Sequence, residues 1–308
     1  MFGWIFAVIV GTIILFLVIY FLGRAIKTET KQEEVILAKN FDILLNPFSS
    51  IGSSGPVSMG RTISLGEKSK IKFKCDDSGL GYQTINLQSE GAFGGYGEEV
   101  ELDINDKYVF SKSLEGKNFY VLSKSFELPF RIDEMIYIVS ENYCFIDASE
   151  EMKEQFEGIS IKELKFADFQ TECSDNDIEV CFDGSDCDIS VSGEKCEGFF
   201  CDNAYEYGIV EKEGKEIRFV TDALMYAAIF SGHELYECNF NRIMKRLGLL
   251  IDLYKEKISI TEPKCDSESL VQELNTFKGY LSLGSTEQLS ISSIELDEEN
   301  SDLECPIF

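Results

Sequence analysis

From Met1 to Gly23 the chain carries no charged side chain, and Phe2 to Leu22 is an almost unbroken apolar run. At about 1.5 Å per residue, a helix of this length spans roughly the 30 Å of a bilayer's hydrocarbon. Three structures can hold such a run: a buried core helix, a cleavable signal peptide or a membrane-spanning helix. A core helix is seldom apolar on every side for so long. A signal peptide has a basic start, a shorter apolar stretch and a small-residue cleavage site. Here no Lys or Arg precedes the run, and Gly23-Arg24-Ala25 is a poor cleavage sequence. Trp4 and Tyr20 lie near the two ends, where amphipathic rings favour the interface. The reading is a retained single-pass anchor over 1–23, touching the lipid bilayer through residues 2–22.

Everything charged lies beyond the anchor. The chain of 308 residues holds 28 Lys and Arg against 55 Asp and Glu, a formal charge of −27. That balance argues against nucleic acid as a partner, because phosphate binding draws its affinity from Lys and Arg. It suits a tethered domain kept soluble and off anionic headgroups. Arg24, Lys27 and Lys31 follow the helix and would hold the C-terminal side in the cytoplasm by the positive-inside rule. Acidic residues are interleaved with them, and long domains translocate largely regardless of charge.

The cysteines decide the expected side. They are Cys75, Cys144, Cys173, Cys181, Cys187, Cys196, Cys201, Cys238, Cys265 and Cys305. No C-x2-C pair occurs, and His233 is the only histidine, so zinc and thioredoxin-type chemistry lack their usual ligand spacing. The segment 173–201 contains five of the ten and few large aliphatic residues. Such a segment cannot build a core of its own, and covalent staples are the usual remedy. All ten are therefore read as disulfide candidates, which places the bulk of the chain outside the cytoplasm. Two pairings suggest themselves. Cys238 starts a helix that Cys265 follows, and Cys75 and Cys144 both sit on strand-like runs.

Along the rest of the chain, 24–40 reads as a polar stalk. Residues 41–220 read as a β-rich ectodomain containing the cysteine-rich segment 173–201. Period-two alternation marks Ile71–Lys74 and Val100–Ile104. Met135–Val139 and Tyr143–Ile146 suggest a hairpin across Ser140–Asn142, and Gly208–Phe219 another turning at Glu213-Gly214. Ser149–Phe156 reads as a helix capped by Asp147 or Ser149. The pattern changes at Thr221, and 221–290 reads as helical. Ile243, Met244, Leu247, Leu250, Ile251 and Tyr254 form one stripe on a long helix, with Arg242, Lys245 and Arg246 placed opposite, toward solvent. Residues 291–308 read as a mobile acidic tail. The fold class is α+β: an N-terminal transmembrane helix, a strand-rich ectodomain, and a helical segment packed on it.

No catalytic, cofactor or metal residue is assigned. Gly91–Gly97 is glycine-rich but lacks the Gly-Lys-Ser/Thr ending of a phosphate loop. Its aromatic residues, Phe93 and Tyr96, are candidates for a protein-partner contact, since loops carry binding. Asp175, Asp177, Asp183, Asp186 and Asp188 crowd the cysteine cluster without the spacing of a calcium loop.

Several strings resemble a family of uncharacterised membrane-anchored proteins from small-genome archaea. They are Trp4–Gly11, Phe41–Pro47, Tyr120–Phe130, Asp222–Phe230 with Tyr236–Cys238, and Cys305-Pro306. The resemblance implies an anchored ectodomain in an archaeal envelope and brings no activity or catalytic residue. The expected function is a cell-surface interaction or envelope structural component without enzymatic activity. One rival is a subunit of a pilus-like filament, with the apolar helix packed in the filament core, which predicts a processing site ahead of the apolar run. The other is an envelope enzyme using carboxylates or calcium.

Overall fold

The apolar run forms helix α1 (Gly3–Phe21), long and apolar enough to cross a membrane, with its side chains exposed. The computed structural model describes residues 3–21, 59–91, 95–156, 163–184, 186–196, 205–261 and 268–308. The stalk at 24–40, Phe93, Cys201 and Cys265 lie outside the described residues.

The first six strands make one sheet. They are β1 (Met59–Asp76), β2 (Tyr82–Ser89), β3 (Val100–Ile104), β4 (Tyr108–Ser111), β5 (Leu114–Glu127) and β6 (Arg131–Val139). Their order is β3-β2-β1-β5-β6-β4, so the two edge strands are consecutive in the chain. The side chain of Gln83, on β2 next to the β3 edge, reaches the other edge, β4. Its Nε2 donates to the Val109 carbonyl at 2.8 Å, and its Oε1 accepts from the Val109 N–H at 2.7 Å. A buried amide thus replaces a strand partner, and the sheet rolls on itself. Every strand sends alternate residues inward, among them Ile71, Ile85, Ile104, Val109, Phe119 and Ile136, and these form a separate core. The register of β1 on β5 shifts between Ser64 and Ser69, an irregularity of the kind that bends a strand.

A second six-stranded sheet follows the order β12-β11-β10-β9-β7-β8. Its strands are β7 (Tyr143–Ile146), β8 (Leu164–Ala167), β9 (Ile178–Phe182), β10 (Ile189–Lys195), β11 (Tyr205–Lys212) and β12 (Lys215–Val220). Strands β7 to β10 run parallel to their neighbours, and β11 and β12 complete it antiparallel. The expected hairpin over Met135–Ile146 does not form. β6 pairs with β4 and β5, whereas β7 pairs with β8 and β9, so Ser140–Asn142 carries the chain from one sheet to the other. Both strands are apolar on each face, and alternation alone cannot say which partner buries them. The β11–β12 hairpin does form, with Glu213 and Gly214 both at positive φ, as a tight two-residue turn requires.

Helix α2 (Glu150–Gln155) is capped by Ser149, whose hydroxyl accepts from Met152 N–H. Helix α3 (Thr221–Phe230) is buried at every position. It touches β4, β5 and β6 on one side and β11 and β12 on the other, so it is the layer between the sheets. An all-round apolar helix belongs in such a place. Its first-turn carboxylate, Asp222, accepts from the Tyr205 N–H at 3.0 Å and from Gln155 Nε2 at 2.7 Å. Tyr137 Oη donates to the Ala223 carbonyl at 2.7 Å.

Helix α4 (His233–Thr261) packs on β1, β4 and β6 and buries Ile243, Leu247, Ile251 and Ile258. The basic residues expected on its solvent side do not all lie there. Arg242 is 1% exposed. Its guanidinium donates to Asn239 Oδ1 at 2.8 Å and to the Lys107 carbonyl at 3.3 Å, and lies 4.9 Å from the Tyr108 ring centroid. Gly81, at positive φ, leaves room for its stem, because a Cβ there would meet Arg242 Cγ and Cδ at 2.8 Å. Arg246 reaches Asp133 at 3.2 Å and is only part-exposed. Arg242 meets carbonyls of distant loops, and Arg246 a carbonyl and a carboxylate of β6, and a helical wheel has no knowledge of them.

Helices α5 (Glu268–Leu283) and α6 (Thr286–Asp302) complete the body. The expected mobile tail is instead mostly α6, which packs on β11 and β12 through Leu289 and Leu296. The end of the chain turns back. Asn300 accepts from the Ile307 N–H at 2.6 Å and donates to the Phe308 carbonyl at 2.7 Å. The Phe308 ring lies 5.2 Å from Phe130 and 5.3 Å from Tyr254. The acidic run hid a stripe of small and apolar residues, including Ser292, Ser293 and Leu296, that is buried.

Candidate functional site

The expected disulfide pairs are not those that form. Cys75 bonds Cys238 with Cα atoms 6.0 Å apart, and Cys144 bonds Cys173 at 5.9 Å. Cys181 bonds Cys187 at 5.8 Å, and Cys196 and Cys305 are disulfide-bonded as well. Cys75 and Cys144 cannot meet because they lie on different sheets. Cys238 is claimed by β1, against which the first turns of α4 pack, and so is not paired with Cys265. Cys144, Cys173, Cys181 and Cys187 cluster with Ile146 and Ala167 on the outer face of the second sheet.

The other sequence-derived candidates are dispersed. Tyr96 is anchored on the first sheet: its hydroxyl donates to Glu115 at 2.9 Å, and Lys70 Nζ stands 4.0 Å from its ring. Hydrogen bonds from Lys68, Tyr96 and Lys70 hold the Glu115 carboxyl's pKa down to about 2. Asp177 and Asp188 accept backbone N–H groups of Ser174 and Glu179 at 2.9 and 3.0 Å, and Asp183 pairs with Lys195 at 2.5 Å. Among the described residues no group of three or more His, Cys, Asp or Glu is placed to hold a metal.

A site that the sequence did not announce lies where the two sheets approach. Pairing of β1 with β5 stops at Ile71 opposite Leu114. Beyond that point Lys72–Cys75 has β2 on one side and an open cleft of about 750 Å³ on the other. Its walls are Lys72, Phe73, Lys74 and Cys75 of β1, the Ser111–Ser113 turn, the β11–β12 turn at Glu213 and Lys215, and Gly232–Leu235 at the start of α4. Four lysines and His233 face two glutamates, Glu213 and Glu234. This local excess of positive charge stands against −27 for the chain. Lys74 is tied to Glu101 at 3.1 Å, while Lys72, Lys112 and Lys215 make no ion pair among the described residues. His233 lies 3.4 Å from Glu237, one turn along α4.

No relative answers for this arrangement. Comparison with protein-family models, curated proteins and solved structures finds no match to the chain. The site must be read from its own chemistry.

Next to Glu213 in the chain is Lys212, 5% exposed. Its ammonium donates to the carbonyls of Ala228, Ile229 and Ser231 at the C-terminal end of α3, the second at 3.2 Å. A cation there complements the helix dipole. Burial, reinforced by the charge of Lys112, pushes its pKa down to about 7. Sequence reasoning passed over these lysines because each is ordinary in its own strand or turn. Only the β1 alternation, with Lys70, Lys72 and Lys74 in one row, hinted at a basic edge.

Proposed function

We propose that the chain is a single-pass membrane protein whose disulfide-locked α+β body stands outside the cytoplasm. It acts there by binding other molecules at the cell surface, as a member of the archaeal family its strings resemble. The observation that carries this reading is the state of the cysteines. All eight described cysteines are in disulfides: Cys75–Cys238 joins β1 to α4, Cys144–Cys173 ties β7 to the segment before β9, and Cys181–Cys187 closes the connection from β9 to β10. Disulfides of this kind persist in oxidising compartments. Helix α1 supports the anchor, because a 19-residue apolar helix with no burial would otherwise expose Phe6, Phe16 and Phe21 to water.

Topology and thiol state test the proposal together. Membranes are washed with alkaline carbonate, and the retained protein is alkylated without reductant and weighed intact. The expected result is a membrane-retained chain that still includes Gly3–Phe21 and takes up no alkyl group until it is reduced. External protease on intact cells should remove the body. Release by carbonate, loss of Gly3–Phe21, or alkylation before reduction would overturn the reading.

A further inference from the structure

We infer that the cleft between the sheets is a binding site for a small organic oxyanion carrying an apolar body. Three independent features of the cleft point there. The first is charge. Lys72, Lys112 and Lys215 project from three different elements, and none is neutralised by an ion pair among the described residues. Along β1 the neighbouring lysines are spent. Lys68 and Lys70 share Glu115 at 2.5 and 3.4 Å, and Lys74 takes Glu101. In a chain with almost two acids per base, three lysines without an ion pair among the described residues, lining one cavity, concentrate positive charge there.

The second feature is shape. A volume of about 750 Å³ lies within the range of small-molecule pockets. Phe73 and the buried Leu235 supply the apolar wall, and the Cys75–Cys238 bond fixes β1 to α4 beside it. The third is the backbone. The first turn of α4 opens on the cleft, and the N–H groups of a helix start favour an anion.

The global charge selects the size of the ligand. At physiological ionic strength the field of an exposed charge is screened over about 8 Å. A small anion inside the cleft therefore feels the lysines. A large polyanion would extend over the acidic surface and be repelled. Glu213 and Glu234 stand at the cleft wall and disfavour a ligand with charge at both ends. The remaining ambiguity is which oxyanion, carboxylate or phosphate, and the probes separate them. This inference does not depend on the side of the membrane that the body occupies.

The test uses the full chain in non-ionic detergent at constant ionic strength, titrated calorimetrically with benzoate, phenyl phosphate and hexaglutamate. The expected result is saturable 1:1 binding of benzoate or phenyl phosphate, the tighter one naming the oxyanion. Combined Lys72→Gln, Lys112→Gln and Lys215→Gln substitutions should weaken it at least about tenfold, since charge-assisted hydrogen bonds are lost. Arginine at the same positions should retain binding, and a matched triple substitution at Lys117, Lys165 and Lys255 should leave it unchanged. Melting curves of the variants check that each folds. Absence of saturation by either small probe, equal binding by the glutamine variant, or tighter binding of hexaglutamate than of both would overturn the inference.

Discussion

The two sheets solve the same problem by different means. The first rolls up and covers its inner face with its own aliphatic residues, from Ile63 on β1 to Ile138 on β6. No cysteine enters that core. The second buries one face against α3, but among the described residues no α-helix or sheet covers the outer face of β7, β8 and β9. Cys144–Cys173 and Cys181–Cys187 lie on that face instead, with only Ile146 and Ala167 as apolar company. Where a strand face meets enough apolar surface, packing suffices; where it does not, covalent bonds restrict the unfolded chain. Cys75–Cys238 is a third case, pinning the end of the first sheet to α4.

The largest effect should come from that third bond. It closes 163 residues, and its removal as Cys75→Ser with Cys238→Ser should cost about 5 kcal/mol in the chain-entropy model. Denaturant unfolding of the full chain in non-ionic detergent measures this. Truncating the roll's interior should come next. Phe119 is fully buried, and Phe119→Ala should cost about 4 kcal/mol by the same measurement. Removing Cys144–Cys173, which spans 29 residues, should cost about 3.5 kcal/mol. The contrast sharpens under reductant. Hydrogen exchange should show amides of β5 and β6 still protected while those of β7 and β9 lose protection. Equal loss in both sheets would break the comparison.

Smaller effects concern charge. Lys212 has a folded pKa of about 7 against 10.5 unfolded. The unfolded chain therefore binds more protons between these values, and stability should rise as pH goes from about 7 toward 10.5. Below 7 both states are protonated and the penalty is constant. Lys212→Met should flatten the alkaline rise, as pH-dependent melting would reveal. The smallest change is expected at Glu115, whose lowered carboxyl sits on the surface. Its contribution is present above about 4.5 and lost as pH falls toward about 2. Glu115→Gln should remove only that acid limb.

Much of the local structure was legible. Alternation at Ile71–Lys74 and the Glu213-Gly214 turn marked β1 and the β11–β12 hairpin, and α3 falls in the part from Thr221 onward that read as helical. The change from strands to helices at Thr221 is equally visible in both. The acidic run after Ile291 misled because composition averages over faces, and α6 buries only the face with Leu296.

By itself, then, the sequence determined what each segment does with its own neighbours: a long apolar helix, strands of period two, helices of period 3.6, and cysteines suited to bonding. These are short-range properties, fixed by backbone geometry and side-chain spacing. Tertiary structure alone decided which partner each element meets. Crossing from β6 to β7 between the sheets separates Cys75 from Cys144. Packing of α4 on β1 brings Cys238 to Cys75 and sinks Arg242 among distant carbonyls. The same approach of β1, the 111–113 turn, the β11–β12 turn and α4 gathers Lys72, Lys112 and Lys215 around one cleft. Contacts between residues so far apart in sequence leave no periodicity in the chain, because what places them is the order of strands in the sheets.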